Sequence, residues 1–307
     1  MSLNKYRGIL PAFYACYDED GEISREAVGN LTRYFIEKGV KGVYVNGSSG
    51  ECIYQSVKER KAIIEEVMSV AKGKLTVINH VACNNTRDSM ILAEHSEKLG
   101  VDAIAAIPPI YFKLPEYSIA QYWNRISQGA PQTDFIIYNI PQLAGTALTL
   151  SLFDEMLKND RVIGVKNSSM PTMDIQLFKR AGVREKEDFI VFNGPDEQFV
   201  SGRAMGADGG IGGTYAVMPE LFLKLDEWIK EGERKKALEL QYDINEIIYK
   251  MCSGRGNMYA LAKEVLRVNE NLDLGGVREP LENLHDGDFK IAKDVAMMIT
   301  KAKEMYL

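Results

Sequence analysis

The amino-acid sequence predicts an α/β protein, a single (β/α)8 TIM barrel with a C-terminal helical extension. Eight short apolar segments alternate with longer amphipathic ones, as the strands and covering helices of parallel sheets do. The apolar segments are nearly continuous, which indicates strands that are buried on both faces. The chain has 307 residues, enough for one barrel and a small appendage.

The segments between the predicted strands have helical periodicity. One such segment spans residues 58–71, and Ser56 followed by Glu59 has the pattern of a capping box at its start. Three of the helical segments end with glycine before the next strand, as at residues 97–107, because glycine can adopt the left-handed conformation that closes a helix. An open doubly wound sheet is the weaker alternative, since no GxGxxG motif opens the first unit. The predicted strands begin near Ile9, Val43, Leu75, Ala103, Phe135, Val162, Phe189 and Gly209.

The strand pattern stops near Pro219, and only helical patterns follow, at residues 219–231, 235–250, 258–269 and 288–305. We interpret the first as the eighth helix of the barrel. The sequence therefore predicts a barrel over residues 1–231 and a C-terminal helical unit over residues 232–307. This unit is expected to pack against the barrel or against a partner subunit.

Composition excludes several classes of protein. The net charge is −6, which argues against nucleic-acid binding because phosphate contacts need clustered basic residues. No apolar run approaches the length of a membrane span, and no secretory signal is evident. The four cysteines form no CxxC pair, which favours a reducing compartment, and we predict a cytoplasmic protein. His80 and Cys83 have no further ligand at metal-binding spacing, so we predict packing roles and no metal.

Lys166 is the most informative residue, because it ends an apolar strand in the sequence VIGVKNSS. In this fold the active site lies at the carboxyl ends of the strands. A desolvated lysine has a lowered pKa and becomes a nucleophile for carbonyl carbon. A strand-end lysine that reaches solvent is an equally good interpretation of this residue alone. Tyr138 ends the neighbouring strand and could transfer protons there, although a tyrosine in a strand is common.

Two further strand ends carry polar groups. We expect the turn Gly47-Ser48-Ser49-Gly50 to bind a carboxylate, because its glycines would let the backbone N–H groups point inward and its hydroxyls add donors. An ordinary Ser/Gly loop is the weaker alternative. Asp196 and Glu197 follow the seventh strand and could accept hydrogen bonds from sugar hydroxyls. A capping role for this acidic pair at the start of the next helix is the more probable interpretation of the pair alone.

Taken together, these motifs resemble the N-acetylneuraminate lyase and dihydrodipicolinate synthase family of class I aldolases. The resemblance covers residues 6–220, and the helical tail agrees with it. It implies a homotetramer that holds pyruvate as a Schiff base and uses no metal or organic cofactor. It also implies that Lys166 forms the Schiff base, that Tyr138 moves the proton, and that Ser48 and Ser49 bind the pyruvate carboxylate beside Gly47.

The resemblance assigns roles to further residues. Tyr111 matches a tyrosine that completes a hydroxyl relay across a subunit contact, although its surroundings, IYFKLP, differ from the family pattern. The residues that match sugar contacts in the lyase branch are Ser168, Gly194, Asp196, Glu197 and Gly213. Gly213 stands where that branch often has serine, which removes one side-chain donor.

The choice between the branches depends on a missing cation. The synthase branch condenses pyruvate with aspartate semialdehyde and commonly has an arginine after the strand-five motif, where this chain has Leu143. We therefore expect cleavage of N-acetylneuraminate to pyruvate and N-acetylmannosamine, a sugar-like aldehyde. A dihydrodipicolinate synthase and an aldolase for another 2-keto-3-deoxy sugar acid are the alternatives. A non-catalytic sensor or scaffold that binds a 2-oxo acid is the alternative of another class. Such a protein would not need both Lys166 and Tyr138, so the presence of both favours an enzyme.

Overall fold

Eight parallel strands form a barrel in the computed structural model, which describes residues 2–307. Neighbouring strands pair in the order β1-β8-β7-β6-β5-β4-β3-β2, and a parallel bridge between Ala12 and Tyr44 joins β1 to β2. Each strand begins within one residue of its predicted start, which confirms the predicted fold class. The strands are β1 Ile9–Pro11, β2 Gly42–Val45, β3 Thr76–His80, β4 Ala103–Ala106, β5 Asp134–Asn139, β6 Val162–Asn167, β7 Ile190–Asn193 and β8 Gly209–Gly212.

Helices connect the strands on the outside of the barrel. The predicted capping box is present at the start of α2, where Ser56 and Glu59 each bind the backbone of the other. The glycines predicted to end helices before strands have positive φ, for example 79° at Gly100. The helices around the barrel are α1 Arg25–Glu37, α2 Val57–Ala71, α3 Thr86–Leu99, α4 Glu116–Gly129, α5 Pro141–Ala144, α6 Leu150–Leu157, α7 Met173–Glu185, α8 Phe199–Ala204 and α9 Pro219–Glu231.

The apolar residues form two layers, one inside the barrel and one between the strands and the helices. The inner layer includes Leu10, Ile136 and Phe192, and the N-terminal residue Tyr6 packs against it. The Tyr6 hydroxyl donates to the carbonyl of Asp102, which precedes β4, at 2.6 Å. The amino ends of the strands are therefore filled by protein side chains, which leaves the carboxyl ends for a site.

An irregularity in β6 decides which side chains face the barrel interior. Phe135 pairs with Val162, but the next residue, Ile136, pairs with Gly164, so β6 carries one extra residue here. Side chains alternate between faces along a regular strand, and an inserted residue reverses the alternation beyond it. Ile163, in the inner layer, and Lys166 can therefore both face inward although they are three residues apart.

Three long helices follow the barrel, as predicted. They are α10 Arg234–Cys252, α11 Met258–Glu270 and α12 Asp286–Tyr306. Lys263 of α11 and Glu51 of the barrel form an ion pair at 3.0 Å, and both side chains are almost fully buried. The division at residue 232 stays a prediction, while this contact shows that the helical unit packs directly on the barrel. Within residues 2–307, no helix combines the length and apolar character needed to cross a membrane.

Candidate active site

Lys166 lies inside the carboxyl end of the barrel. It is next to Tyr138 in the sheet, because the two residues are paired in the register of β5 and β6. The side chain is 4% exposed. Its amine lies 4.0 Å from the centre of the Tyr138 ring and 4.2 Å from that of Tyr44. The lysine is therefore enclosed by aromatic rings and does not extend to solvent.

This enclosure changes the protonation of the amine. Burial lowers the pKa of Lys166 to about 7, against the weaker opposite effect of the Asp196 carboxylate. Two aromatic faces replace water around the ammonium group only in part, so the charged form is disfavoured. A substantial fraction of the amine is therefore neutral, and nucleophilic, near neutral pH.

The Tyr138 phenol faces the same space as the Lys166 amine. Burial raises its pKa to about 12, while hydrogen bonding to the Ser48 and Ser168 hydroxyls has the opposite effect. The phenol is therefore protonated at neutral pH and can donate a proton. Its ring packs edge-on against Tyr44 and His80, with ring centres 5.6 and 6.1 Å away. These contacts hold the ring in position beside the amine.

The Gly47–Gly50 turn has the expected position, but its glycines act differently from our expectation. Neither glycine has a positive φ. Gly47 is needed for space, since a Cβ atom there would lie 2.6 Å from the Tyr44 ring. Within residues 2–307, the backbone N–H groups of Ser48 and Ser49 have no hydrogen-bond acceptor. They are thus available to a bound anion.

The helix-capping interpretation of Asp196 and Glu197 is wrong, because neither residue is a helix N-cap, although both lie in the first turn of a short 3-10 helix. Pro195 is the N-cap of the short 3-10 helix that Asp196 begins. The Asp196 carboxylate turns toward the end of β8, where one oxygen accepts from the N–H and hydroxyl of Thr214 at 2.7 and 2.6 Å. Its other oxygen has no partner within residues 2–307, and burial raises the pKa of Asp196 to about 7. Glu197 is exposed.

The other predicted sugar contacts surround the same end of the barrel. Gly194 lies against Ser168, so closely that a Cβ atom would lie 1.9 Å from the Ser168 hydroxyl oxygen. Gly213 has a φ of −72°, which other residues also adopt. A Cβ atom there would lie 3.2 Å from the Ser49 hydroxyl oxygen and 3.8 Å from that of Tyr259.

Tyr111 is not brought to this site within one chain. Its side chain is 90% exposed and its φ is +85°, an unusual backbone conformation for tyrosine. It packs edge-on against Phe112, which is also exposed.

His80 packs in the core, where its Nδ1 donates to the Asn46 carbonyl at 2.9 Å. Among residues 2–307, no group of three or more His, Cys, Asp or Glu side chains could hold a metal ion.

The sequence interpretation missed three residues of the site, Tyr44, Thr214 and Tyr259. Tyr44 could have been found from the strand pattern, since it precedes the Gly47–Gly50 turn. Thr214 could have been found from its position, since it directly follows Gly213, a predicted sugar contact. No local signal identifies Tyr259, because it lies on α11, far from the barrel strands in sequence.

A cavity of about 530 Å³ opens beside the site. Ser48 and Tyr259 line it, while Lys166 does not. The cavity thus meets the predicted carboxylate-binding turn at Ser48 and leaves the amine enclosed. Its other lining residues include Ile107, Pro108, Leu143 and Asn84.

Comparison with known proteins agrees with this geometry. Residues 5–297 match the model of the dihydrodipicolinate synthetase family. The chain is 67% identical to an N-acetylneuraminate lyase of Mediterraneibacter gnavus over 100% of this chain and 96% of that protein. A solved catalytic lysine mutant of the Ruminococcus gnavus sialic acid aldolase is 66% identical, with a TM-score of 0.98 over 100% of this chain and 99% of the other.

A more distant structure has the same fold. The Clostridium difficile protein CdNal, solved in complex with mannosamine, is 28% identical with a TM-score of 0.90, and the match covers 100% of both chains. The fold, the strand-end residues and the match over nearly the whole length lead to one conclusion: the chain belongs to the dihydrodipicolinate synthetase family.

Proposed function

We propose that this protein is a class I aldolase that cleaves N-acetylneuraminate into pyruvate and N-acetylmannosamine through a Schiff base on Lys166. The observation that carries the proposal is the enclosed Lys166 amine, whose pKa is lowered to about 7, beside Tyr138. The 67% identity to an N-acetylneuraminate lyase supports the choice of substrate. The similar sialic acid aldolase whose catalytic lysine was mutated supports a lysine-dependent mechanism.

The proposed reaction begins when the neutral Lys166 amine attacks the keto carbon of the open-chain sugar acid. Loss of water forms a protonated imine, which withdraws electrons from the adjacent carbon. The hydroxyl on the next carbon then loses its proton, the carbon–carbon bond breaks, and the aldehyde sugar leaves. The electron pair of that bond remains as an enamine. Protonation of the enamine carbon and hydrolysis of the imine release pyruvate and restore the amine.

Tyr138 is proposed to carry the proton of the bond-breaking step. The phenol starts protonated and donates that proton to the hydroxyl group that leaves as water when the imine forms. The positive charge of the imine beside its ring stabilises the resulting phenolate, which then accepts the proton of the substrate hydroxyl and returns it to the enamine carbon. Ser48 lies next to the phenol and can pass a proton between it and the substrate. Ser48 and Ser49, with the free N–H groups of their turn, are proposed to bind the substrate carboxylate. No metal or organic cofactor is needed for these steps.

The sugar portion is proposed to lie near Ser168, Gly194 and Gly213. The unpartnered oxygen of Asp196 and the exposed carboxylate of Glu197 would accept hydrogen bonds from its hydroxyl groups. A hydroxyl-rich neutral aldehyde suits these acceptors. An aldehyde that carries its own carboxylate would be repelled by ionised acids here.

The experiment that tests this function measures pyruvate released from N-acetylneuraminate in a coupled assay. In parallel, pyruvate plus borohydride should attach a reduced three-carbon adduct to Lys166, and peptide mass spectrometry would locate it. The trapping rate should increase with pH and level off above the pKa of the Lys166 amine, about 7, as the amine becomes fully neutral. Condensation of pyruvate with aspartate semialdehyde without cleavage of N-acetylneuraminate would contradict the substrate, and an adduct on another lysine would contradict the mechanism.

We also propose a homotetramer in the cytoplasm, in which Tyr111 acts in the site of a partner subunit. Its exposed ring beside the exposed Phe112 suits burial against a second copy. Analytical ultracentrifugation of the wild type and of Tyr111→Ala would test this. A monomeric wild type with full activity would contradict the proposal.

A further inference from the structure

Tyr259 brings a hydroxyl group from the C-terminal helical unit into the barrel mouth. It lies in the first turn of α11, where its backbone N–H is held by the side chain of Asn257 at 2.9 Å. The Ser49 hydroxyl donates to the Tyr259 oxygen at 3.2 Å. Tyr259 is thus a direct neighbour of a residue proposed to bind the substrate carboxylate.

The phenol is held in this position from several sides. Its ring packs against Tyr14 with ring centres 5.9 Å apart, and the Tyr14 hydroxyl in turn donates to the carbonyl of Gly213 at 2.6 Å. Gly213 has no side chain, which leaves the space next to the Ser49 and Tyr259 hydroxyls open. A larger residue at position 213 would crowd this pair.

One turn further along α11, Lys263 forms the buried ion pair with Glu51. Residues four apart lie on the same face of a helix, so one face of α11 contacts both Ser49 and Glu51. The other Glu51 carboxylate oxygen accepts from the N–H of Arg278 at 2.9 Å. The carboxylate-binding turn is therefore fixed at its end by an ion pair and at its centre by the Tyr259 hydroxyl.

We propose that Tyr259 is a positioning residue, which orients the Ser49 hydroxyl and thereby sets the affinity for the carboxylate of the 2-oxo acid. This inference rests on the proposed function, since it takes Ser49 as a carboxylate ligand. When the anion binds, Ser49 turns its proton to the carboxylate, and the Tyr259 hydroxyl donates to the Ser49 oxygen. The hydrogen bond from Tyr259 to Ser49 polarises the Ser49 hydroxyl, and this strengthens the hydrogen bond from Ser49 to the charged carboxylate.

The carboxylate keeps its charge throughout the reaction, so this contact is the same in the ground state and in the transition state. Loss of such uniform binding raises KM and leaves kcat nearly unchanged. We therefore expect Tyr259→Phe to raise KM for N-acetylneuraminate roughly 3- to 10-fold, the value of one hydrogen bond, with kcat within about twofold of the wild type. Tyr249→Phe is the matched control, because Tyr249 is 65% exposed on α10 and its variant should match the wild type.

A second measurement uses pyruvate alone, so that it does not depend on the identity of the sugar. The pyruvate concentration for half-maximal borohydride trapping should rise by the same factor in Tyr259→Phe. Ser49→Ala and the double variant Ser49→Ala/Tyr259→Phe should have equal half-saturation values, because Tyr259 acts through Ser49. If the wild type traps pyruvate but does not cleave N-acetylneuraminate, the substrate assignment fails while this comparison still decides the role of Tyr259.

The outcomes that overturn the inference are distinct. An unchanged pyruvate half-saturation in Tyr259→Phe would mean that its hydroxyl does not orient Ser49. A fall in kcat at constant KM would place Tyr259 in the chemistry itself. Additive effects in the double variant would mean that Tyr259 acts independently of Ser49. Should Tyr259→Phe fail to fold, Ser49→Ala and Ser49→Thr decide, since threonine keeps the hydroxyl that Tyr259 orients. Equal half-saturation in those two variants would then overturn the inference.

Discussion

Replacement of Lys166 by methionine should increase the stability of the folded protein. Methionine has a similar length and no charge, so it removes the desolvated amine without leaving a large cavity. The pKa of Lys166 is lowered from its ordinary value of 10.5 to about 7. At about 1.4 kcal/mol per pKa unit, the protonated amine is about 5 kcal/mol less favourable in the folded protein than in the unfolded chain.

The pH dependence of this effect has a definite sign. Between about pH 7 and 10.5 the unfolded chain keeps a proton on this lysine that the folded protein has released, so wild-type stability rises with pH in this window. The advantage of Lys166→Met should therefore be about 3 kcal/mol smaller at pH 10 than at pH 7.5. The same substitution removes the nucleophile and should abolish turnover, so stability and activity change in opposite directions.

Urea unfolding at several pH values and one fixed protein concentration would measure this difference. Lys98→Met is the matched control, because the Lys98 side chain is 68% exposed and paired with Glu94 at the surface. Its unfolding free energy should differ from that of the wild type by an amount that does not depend on pH. A difference for Lys166→Met that is likewise constant from pH 7.5 to 10 would refute the desolvation argument.

Three further substitutions test other parts of the site. Tyr138→Phe should lower kcat by about 100-fold or more in steady-state assays, the scale of a positioned acid–base group, while borohydride trapping of pyruvate survives. Gly194→Ala should lower both the thermal unfolding midpoint and the activity, because its Cβ atom would lie 1.9 Å from the Ser168 hydroxyl oxygen. Lys263→Met should lower the free energy of unfolding, measured in urea, by about 3–5 kcal/mol, since it leaves Glu51 buried without its partner.

Each of these expectations can fail in a specific way. Near wild-type turnover in Tyr138→Phe would assign proton transfer to another group, such as Ser48. An unchanged melting midpoint and activity in Gly194→Ala would mean that the Ser168 side chain and the neighbouring backbone can both shift at little cost, since the Cβ atom would also lie 2.8 Å from the Asn167 carbonyl oxygen. A stable Lys263→Met protein would mean that the hydrogen bonds that Glu51 accepts from Tyr17 and Arg278 satisfy its carboxylate without Lys263.

Much of the fold could be predicted because hydrophobic periodicity is a local property. Strands covered on both faces must be apolar throughout, and helices that cover them must be amphipathic, so alternating runs predict the barrel before any contact is known. The same logic places Lys166, Tyr138 and the Gly47–Gly50 turn at the carboxyl ends of their strands. Because the strands are parallel, their carboxyl ends all lie on the same side, and these residues are therefore expected at one end of the barrel.

The capping interpretation of Asp196 failed because it used only local sequence. An acid at the start of a helical segment usually binds the N–H groups of its own helix. Here the end of β8 supplies the N–H and hydroxyl of Thr214, which a local pattern cannot reveal because the two residues meet only when β7 and β8 pair.

The sequence by itself determined the strand and helix pattern of this protein and the set of polar groups at the strand ends, since both depend on residues close together in the chain. The tertiary structure alone decided which of these groups face one another. The extra residue in β6 turns Lys166 toward the barrel interior, because alternation would otherwise place it on the face opposite Ile163. Enclosure by Tyr44 and Tyr138 then lowers its pKa, and α11 brings Tyr259 to Ser49. Burial and charge depend on distances between segments that are remote in sequence, and folding alone sets those distances.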